Sequence, residues 1–167
     1  KNFYNIPVIT DFHNPEDADE IAKICDVIQI PAFLCRQTDT IVAGAKACKK
    51  YGAKLNIKKG QFMAPGDMAY AVEKAKGFMD LEDIMVTERG TCFGYNNFVV
   101  DMIGLVIMRH FAPAVFAATN SVHLAGPRGD KSGGQREFVR DLAGSAVGAG
   151  IDAFFTAYED LCDIAVC

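Results

Sequence analysis

Two cations, Lys58 and Arg89, close two short apolar runs, and each has a second charge beside it. Lys58 is followed by Lys59, Gly60 and Gln61, while Arg89 stands between Glu88 and Gly90. A lysine and an arginine brought together by folding make a clamp for an anion. The guanidinium grips carboxylate or phosphate with a two-pronged fork, and the ammonium acts as a point charge. Other polar residues occupy the same kind of position after other apolar runs: Asp11, Gln29 with Arg36, Asn120 with His123, and Thr156. Their sum is cationic, so the expected ligand is an anion. Taken alone, the two lysines are equally well explained as solvated surface charges, because charged side chains are mostly exposed. Facing a core without partners they would be costly to bury, and would need an anion to meet them.

The elements that must position these residues alternate regularly. Strand-like runs cover residues 7–11, 27–33, 54–58, 84–90, 114–119 and 153–156. Helical spacing of apolar positions covers 15–25, with Asn14 as N-cap, and 38–51, which ends in Lys49, Lys50, Tyr51 and a Gly52 stop. Further helices are expected over 65–76, 97–110 and 135–150, and a long polar, Gly-rich loop over 120–134. Six strand signals separated by helices predict repeated strand–helix–strand units and a parallel sheet. With no linker, repeat or low-complexity tract, residues 1–167 read as a single domain. A doubly wound sheet and a TIM barrel both place residues that follow strands on the ligand face.

Composition narrows the classes. The 167 residues are half hydrophobic, enough for one sizeable core, and the formal charge of −4 lacks the basic footprint of a nucleic-acid binder. No apolar run approaches the roughly 20 residues of a membrane helix, and the start lacks the order of a signal peptide. The six cysteines form no Cys-x-x-Cys pair and sit in apolar or helical patterns, which predicts reduced thiols in a cytoplasmic protein.

Three motifs carry a resemblance along nearly the whole chain: Gln29-Ile30-Pro31-Ala32-Phe33-Leu34-Cys35-Arg36-Gln37-Thr38-Asp39, Lys58-Lys59-Gly60-Gln61-Phe62, and Glu88-Arg89-Gly90 with Phe93-Gly94-Tyr95-Asn96-Asn97. In this order they resemble the 3-deoxy-D-manno-octulosonate 8-phosphate synthases. The resemblance implies an α/β TIM barrel, here seen from the third strand to the eighth, and a cytoplasmic homotetramer. It implies condensation of phosphoenolpyruvate with arabinose 5-phosphate in lipopolysaccharide biosynthesis. By position, Lys58 and Arg89 would hold phosphoenolpyruvate, and Ala32 would add a backbone N–H. Asp11, Gln29 and Gln61 would line the pocket, with Asp11 near the sugar hydroxyls. Arg36 would reach a neighbouring subunit's sugar phosphate. The segment 126–134 would form a lid over the barrel mouth, offering Arg128 and Lys131 to anions; as a P-loop it fails, because Asp130 stands where that motif needs Gly.

The chain also departs from the family. Its first two strands, the sugar-phosphate segment and the last helix have no counterpart, which predicts an incomplete stretch of a longer polypeptide. A divalent metal occurs in one branch of the family, but the ligand positions fall here on Ala117, Asn120, Thr156, Tyr158 and a position at or near Cys167. No metal ligand is therefore assigned, and no cofactor is certain. A catalytically inactive relative that binds a phosphorylated ligand or partners an active subunit stays open. His123, Cys162 and Cys167 match no zinc spacing. His13 reads as solvent-facing, His110 as a helix-end residue, and the series 98, 102, 105 and 108 as core packing.

Overall fold

The computed structural model describes residues 7–92, 97–128 and 131–155, with side chains 125–128 and 131–133 outside the description. In chain order the elements are β1 (Ile9–Asp11), α1 (Ala18–Ile24), β2 (Val27–Ile30), α2 (Thr38–Tyr51), β3 (Lys54–Lys58), α3 (Met68–Lys76) and β4 (Ile84–Glu88). They continue with α4 (Met102–Met108), β5 (Ala114–Ala117), β6 (His123–Arg128), β7 (Lys131–Gly134), α5 (Val139–Gly148) and β8 (Ala153–Phe155). The strands β1, β2, β3, β4, β5 and β8 form one sheet in that order, every neighbouring pair parallel.

Strand order decides between the two parallel architectures. A doubly wound sheet reverses direction at a switch point. Here the order never reverses. Crossovers between parallel strands are right-handed, so stepping always the same way puts every helix on one face. The sheet accordingly curls into a half-barrel, as part of a TIM barrel does, and the doubly wound reading is set aside. Within the helical layer α1 packs on α2, α2 on α3, and α4 on α5.

Side-chain alternation follows from the pleat. On β3, Leu55 and Ile57 are fully buried in the layer shared with Ile28, Ile30, Ile84, Val86 and Phe116 of neighbouring strands. That layer packs with Ile41, Ala45 and Cys48 of α2, Met68 and Val72 of α3, and Leu105 and Met108 of α4. The alternate residues, Asn56 and Lys58, turn to the other face, the barrel interior. Among the described residues, no helix is long and apolar enough to cross a membrane.

The helix α2 ends as expected, with Gly52 in the left-handed region at φ 72° and its N–H on the Cys48 carbonyl. Lys49 and Lys50 leave that last turn to pair with Asp80 and Asp19 at 2.5 and 2.7 Å. Other boundaries need correction. The first and third helices begin with a 3-10 turn (Pro15–Asp17, Pro65–Asp67); Asn14 holds the N-cap position and its backbone carbonyl accepts the Asp17 N–H, but its side chain caps no backbone N–H and donates to the Asp17 carboxylate instead. The expected helix over 97–110 shrinks to α4, because Val99 forms an antiparallel bridge with Thr91 and Asp101 caps the Ile103 N–H. The expected loop over 120–134 contains the β6–β7 hairpin, with His123 opposite Gly134 and Arg128 opposite Lys131. Its glycines and Pro127 hide the pairing from any periodicity.

Candidate active site

The inner face carries a continuous row of polar groups across four strands. Asp11, Gln29 and Asn56 are register partners on β1, β2 and β3. The Thr87 hydroxyl donates to Asn56 Oδ1 at 2.7 Å, and Asn56 Nδ2 donates to Gln29 Oε1 at 2.5 Å. Gln29 Nε2 then donates to Asp11 Oδ1 at 2.5 Å. Lys58 reaches the other oxygen of the same carboxylate, Nζ to Oδ2 at 3.1 Å, and lies over the Phe155 ring of β8 at 5.6 Å. Gln29, Asn56 and Thr87 are buried.

Lys59 belongs to the opposite face. It is buried against Glu88 of the neighbouring strand, with Nζ 3.5 Å from Oε2 and further donation to the Gly60 carbonyl and the Thr91 hydroxyl. The other Glu88 oxygen accepts the Gly90 N–H at 2.6 Å. Burial raises the Glu88 carboxyl above its ordinary value, and the Lys59 charge pulls against that rise. Neither lysine is a solvated surface charge, so that reading of the pair falls. Only Lys58 faces the interior; Lys59 is a structural cation.

Arg89 follows Glu88 on the inner side, and burial lowers its guanidinium pKa while Glu88 and Asp11 oppose the shift. Its guanidinium carbon lies 4.7 Å from the centre of the Phe98 ring. The His123 ring stacks on the same phenyl group, 6.2 Å between centres and 17° between planes. Burial, then the Arg89 charge, holds the His123 pKa below its usual value. Gly90 makes this cluster possible: its φ is 93°, and a Cβ there would stand 2.7 Å from Phe98 Cβ. Among the described residues, Arg89 Nε and Gln61 Oε1 are buried without a hydrogen-bond partner.

Lys58, Arg89 and Asp11 thus sum to one positive charge at the C-terminal strand ends, the face on which TIM-barrel enzymes place their sites. A depression of about 830 Å³ lies elsewhere, beside Asp80, Glu82, Pro113 and Asp152 at the N-terminal ends of β4, β5 and β8. Its polar groups serve the fold: Asp152 accepts the Ala114 N–H and Arg109 donates to the Ala149 carbonyl.

A family model, the DAHP synthetase I family, matches residues 1–157. The chain belongs to the DAHP synthetase I family. Similar members include a 2-dehydro-3-deoxyphosphooctonate aldolase of Campylobacter jejuni, 47% identical over 178 residues, covering 98% of this chain and 64% of the relative. Enzymes of the same name from Acidithiobacillus ferrooxidans and Koribacter versatilis are 54% and 53% identical, over 90% and 93% of this chain and 52% and 55% of theirs. The chain therefore spans about half to two thirds of the length of these relatives.

In this member of the DAHP synthetase I family, the structure brings Asp11, Gln29, Lys58 and Arg89 to one face, with Asp11 acting on Arg89 and Arg89 on His123. Gln61 is buried just beyond β3, and its backbone carbonyl accepts the Cys92 N–H. Ala32, itself buried, opens the 3-10 turn after β2, where the first N–H groups have no partner within the turn. Arg36 is exposed after that turn, and Asn120 is half-buried after β5. The Lys131 side chain, residues 93–96, Thr156, Tyr158, Cys162 and Cys167 lie outside the described residues. Phe98 was expected in the core and sits instead under Arg89 and His123. Asn56 and Thr87 were missed because each lies inside an apolar strand run; their spacing of two from Lys58 and Arg89 was the available signal.

For a divalent ion, Ala117 offers no donor atom and Asn120 only an amide. Among the described residues, no three His, Cys, Asp or Glu side chains converge as a metal site. The described positions do not supply a divalent ion's donor set, and no step below runs through one.

Proposed function

We propose that the protein condenses phosphoenolpyruvate with D-arabinose 5-phosphate and water, giving 3-deoxy-D-manno-octulosonate 8-phosphate and inorganic phosphate. One observation carries this reading: Lys58 and Arg89 converge from adjacent strands on the inner face, with the Arg89 Nε buried and unpartnered among the described residues. Family membership and the names of the relatives supply the substrate classes. Arg89 and Lys58 hold the phosphate and carboxylate of phosphoenolpyruvate, helped by the Ala32 N–H and Gln61. Asp11, held by Gln29, faces the sugar hydroxyls. Carbon 3 of the enol attacks the sugar aldehyde, water adds at carbon 2, and the C–O bond to phosphate breaks. Charge grows on the departing phosphate, where fixed cations stabilise it most. Two anions held side by side make carbon–carbon bond formation effectively unimolecular.

Arg36, exposed after β2, reaches a neighbouring subunit's sugar phosphate in a cytoplasmic homotetramer, and Asn120, His123 and Lys131 contribute to substrate binding. Phosphate release from the two substrates tests the reading. Arg89→Ala should abolish that release, and a wild-type protein that releases none refutes it. Asn120, Thr156 and Tyr158 in the sequence favour a second reading, a member that binds phosphoenolpyruvate without turning it over. Calorimetric binding with no turnover would establish that one, and absence of binding would exclude it.

A further inference from the structure

The polar row from Thr87 to Asp11 has a direction. A carboxylate only accepts hydrogen bonds, an amide has one donating and one accepting end, and a hydroxyl can do either. With Asp11 ionised and paired to Lys58, Gln29 must turn its NH₂ toward Asp11 and its oxygen toward β3. Asn56 must then turn its NH₂ toward Gln29 and its oxygen toward Thr87, whose hydroxyl must donate. Reversing the row would set Gln29 Oε1 against the Asp11 carboxylate, two acceptors in contact. Gln29 is 1% exposed and Asn56 and Thr87 0%, so none of these three can trade its partner for bulk water. An unpaired buried acceptor costs more than its hydrogen bond contributes, which makes the row an all-or-none unit.

We infer that Thr87 and Asn56 are positioning residues for the reaction: through this one-way row they lock the Gln29 amide, and with it the orientation of the Asp11 carboxylate. The inference rests on the proposed reading, in which Asp11 meets the sugar. Lys58 from β3 and Gln29 from β2 grip Asp11 directly, and Arg89 from β4 acts on it through space. Thr87 is fully buried and donates to Asn56, so it acts through the row rather than by its own contact. It supplies the far end of the row, the one group able to donate to Asn56 without itself needing a fixed orientation.

Two measurements test this. In kinetics, Thr87→Val should raise the KM for arabinose 5-phosphate about tenfold, the ratio one buried hydrogen bond corresponds to. The KM for phosphoenolpyruvate should stay within about twofold, and Thr87→Ser, which keeps the hydroxyl, should restore the sugar KM. A loss shared equally by both substrates, or by serine and valine alike, overturns the assignment. Side-chain amide NMR of labelled protein needs no turnover. Wild type and Thr87→Ser should give one slowly exchanging set of NH₂ signals for Gln29 and Asn56, and Thr87→Val should speed exchange at both about tenfold. Should the valine variant not fold, Asp11→Asn tests the same row from its open end. Without the charge the row can run either way, so Asn56, two links distant, should show two sets of signals; a single set overturns the inference. If wild type releases no phosphate while the amide signals behave as stated, the proposed reaction fails and the row stands.

Discussion

Replacing Lys59 with methionine removes a charge while keeping most of the side-chain volume, and leaves Glu88 alone in the layer between sheet and helices. The two side chains are 1% and 0% exposed, so water cannot replace the lost partner. Breaking a buried pair from one side costs about 3–5 kcal/mol. At about 2–4 °C per kcal/mol for a chain of this size, the unfolding midpoint should fall by roughly 6–20 °C. The sign of the pH dependence follows from Glu88. Burial already raises its pKa above the ordinary 4.5, against the pull of Lys59, and removing Lys59 raises it further. A carboxyl with a folded-state pKa above its unfolded one holds its proton better in the fold. The penalty is therefore small below the unfolded value, grows as pH rises through it, and levels off above the folded value. Urea unfolding at about pH 5 and about pH 8 reads this out, with the loss larger at the higher pH. Lys59→Met combined with Glu88→Gln should recover most of the stability at the higher pH. A loss below about 1 kcal/mol, or equal at both pH values, would refute the burial argument.

Phe98→Ala should weaken phosphoenolpyruvate binding by removing the surface on which Arg89 rests. A cation–π contact of about 0.5–2 kcal/mol corresponds to a roughly 2–30-fold rise in the dissociation constant, measurable by calorimetry, and an unchanged constant would show that Phe98 positions nothing. Gly90→Ala must hold alanine at φ 93° and push Phe98 aside, so thermal unfolding should show a loss of about 1–3 kcal/mol, together with weaker phosphoenolpyruvate binding. A variant as stable as wild type would mean that the turn relaxes.

Much of this arrangement is legible in the residues, for reasons that also mark the limits. Runs such as 54–58 and 84–88 are short, apolar and bounded by turn residues, so the strands β3 and β4 stand out. Lys58 and Arg89 could be paired as a clamp because each ends such a run. Which of Lys58 and Lys59 faces the interior could not be read, since the run does not reveal which pleat face is which. That assignment comes from the neighbours: Asp11 for one lysine, Glu88 for the other. Phe98 was absorbed into a helix pattern because Met102, Leu105 and Met108 continue its apolar spacing. The bridge to Thr91 that removes it from the helix is a contact made in space, invisible to local periodicity. The β6–β7 hairpin escaped for the opposite reason, being held by backbone pairing through residues with little strand preference.

The pleat of β3 and β4 divides labour residue by residue. Positions 55, 57 and 59, like 84, 86 and 88, hold the sheet to its helices, while 56 and 58, like 87 and 89, face the barrel interior. Neighbouring codons therefore answer to different selection: one position tolerates what preserves volume and pairing, the next what preserves hydrogen-bond direction and charge. Inserting a single residue ahead of Lys58 would exchange the two faces from that point on, turning Lys59 into the interior and Lys58 into the core. Strand length in this half-barrel is thus under tighter constraint than the identity of any one of its apolar residues.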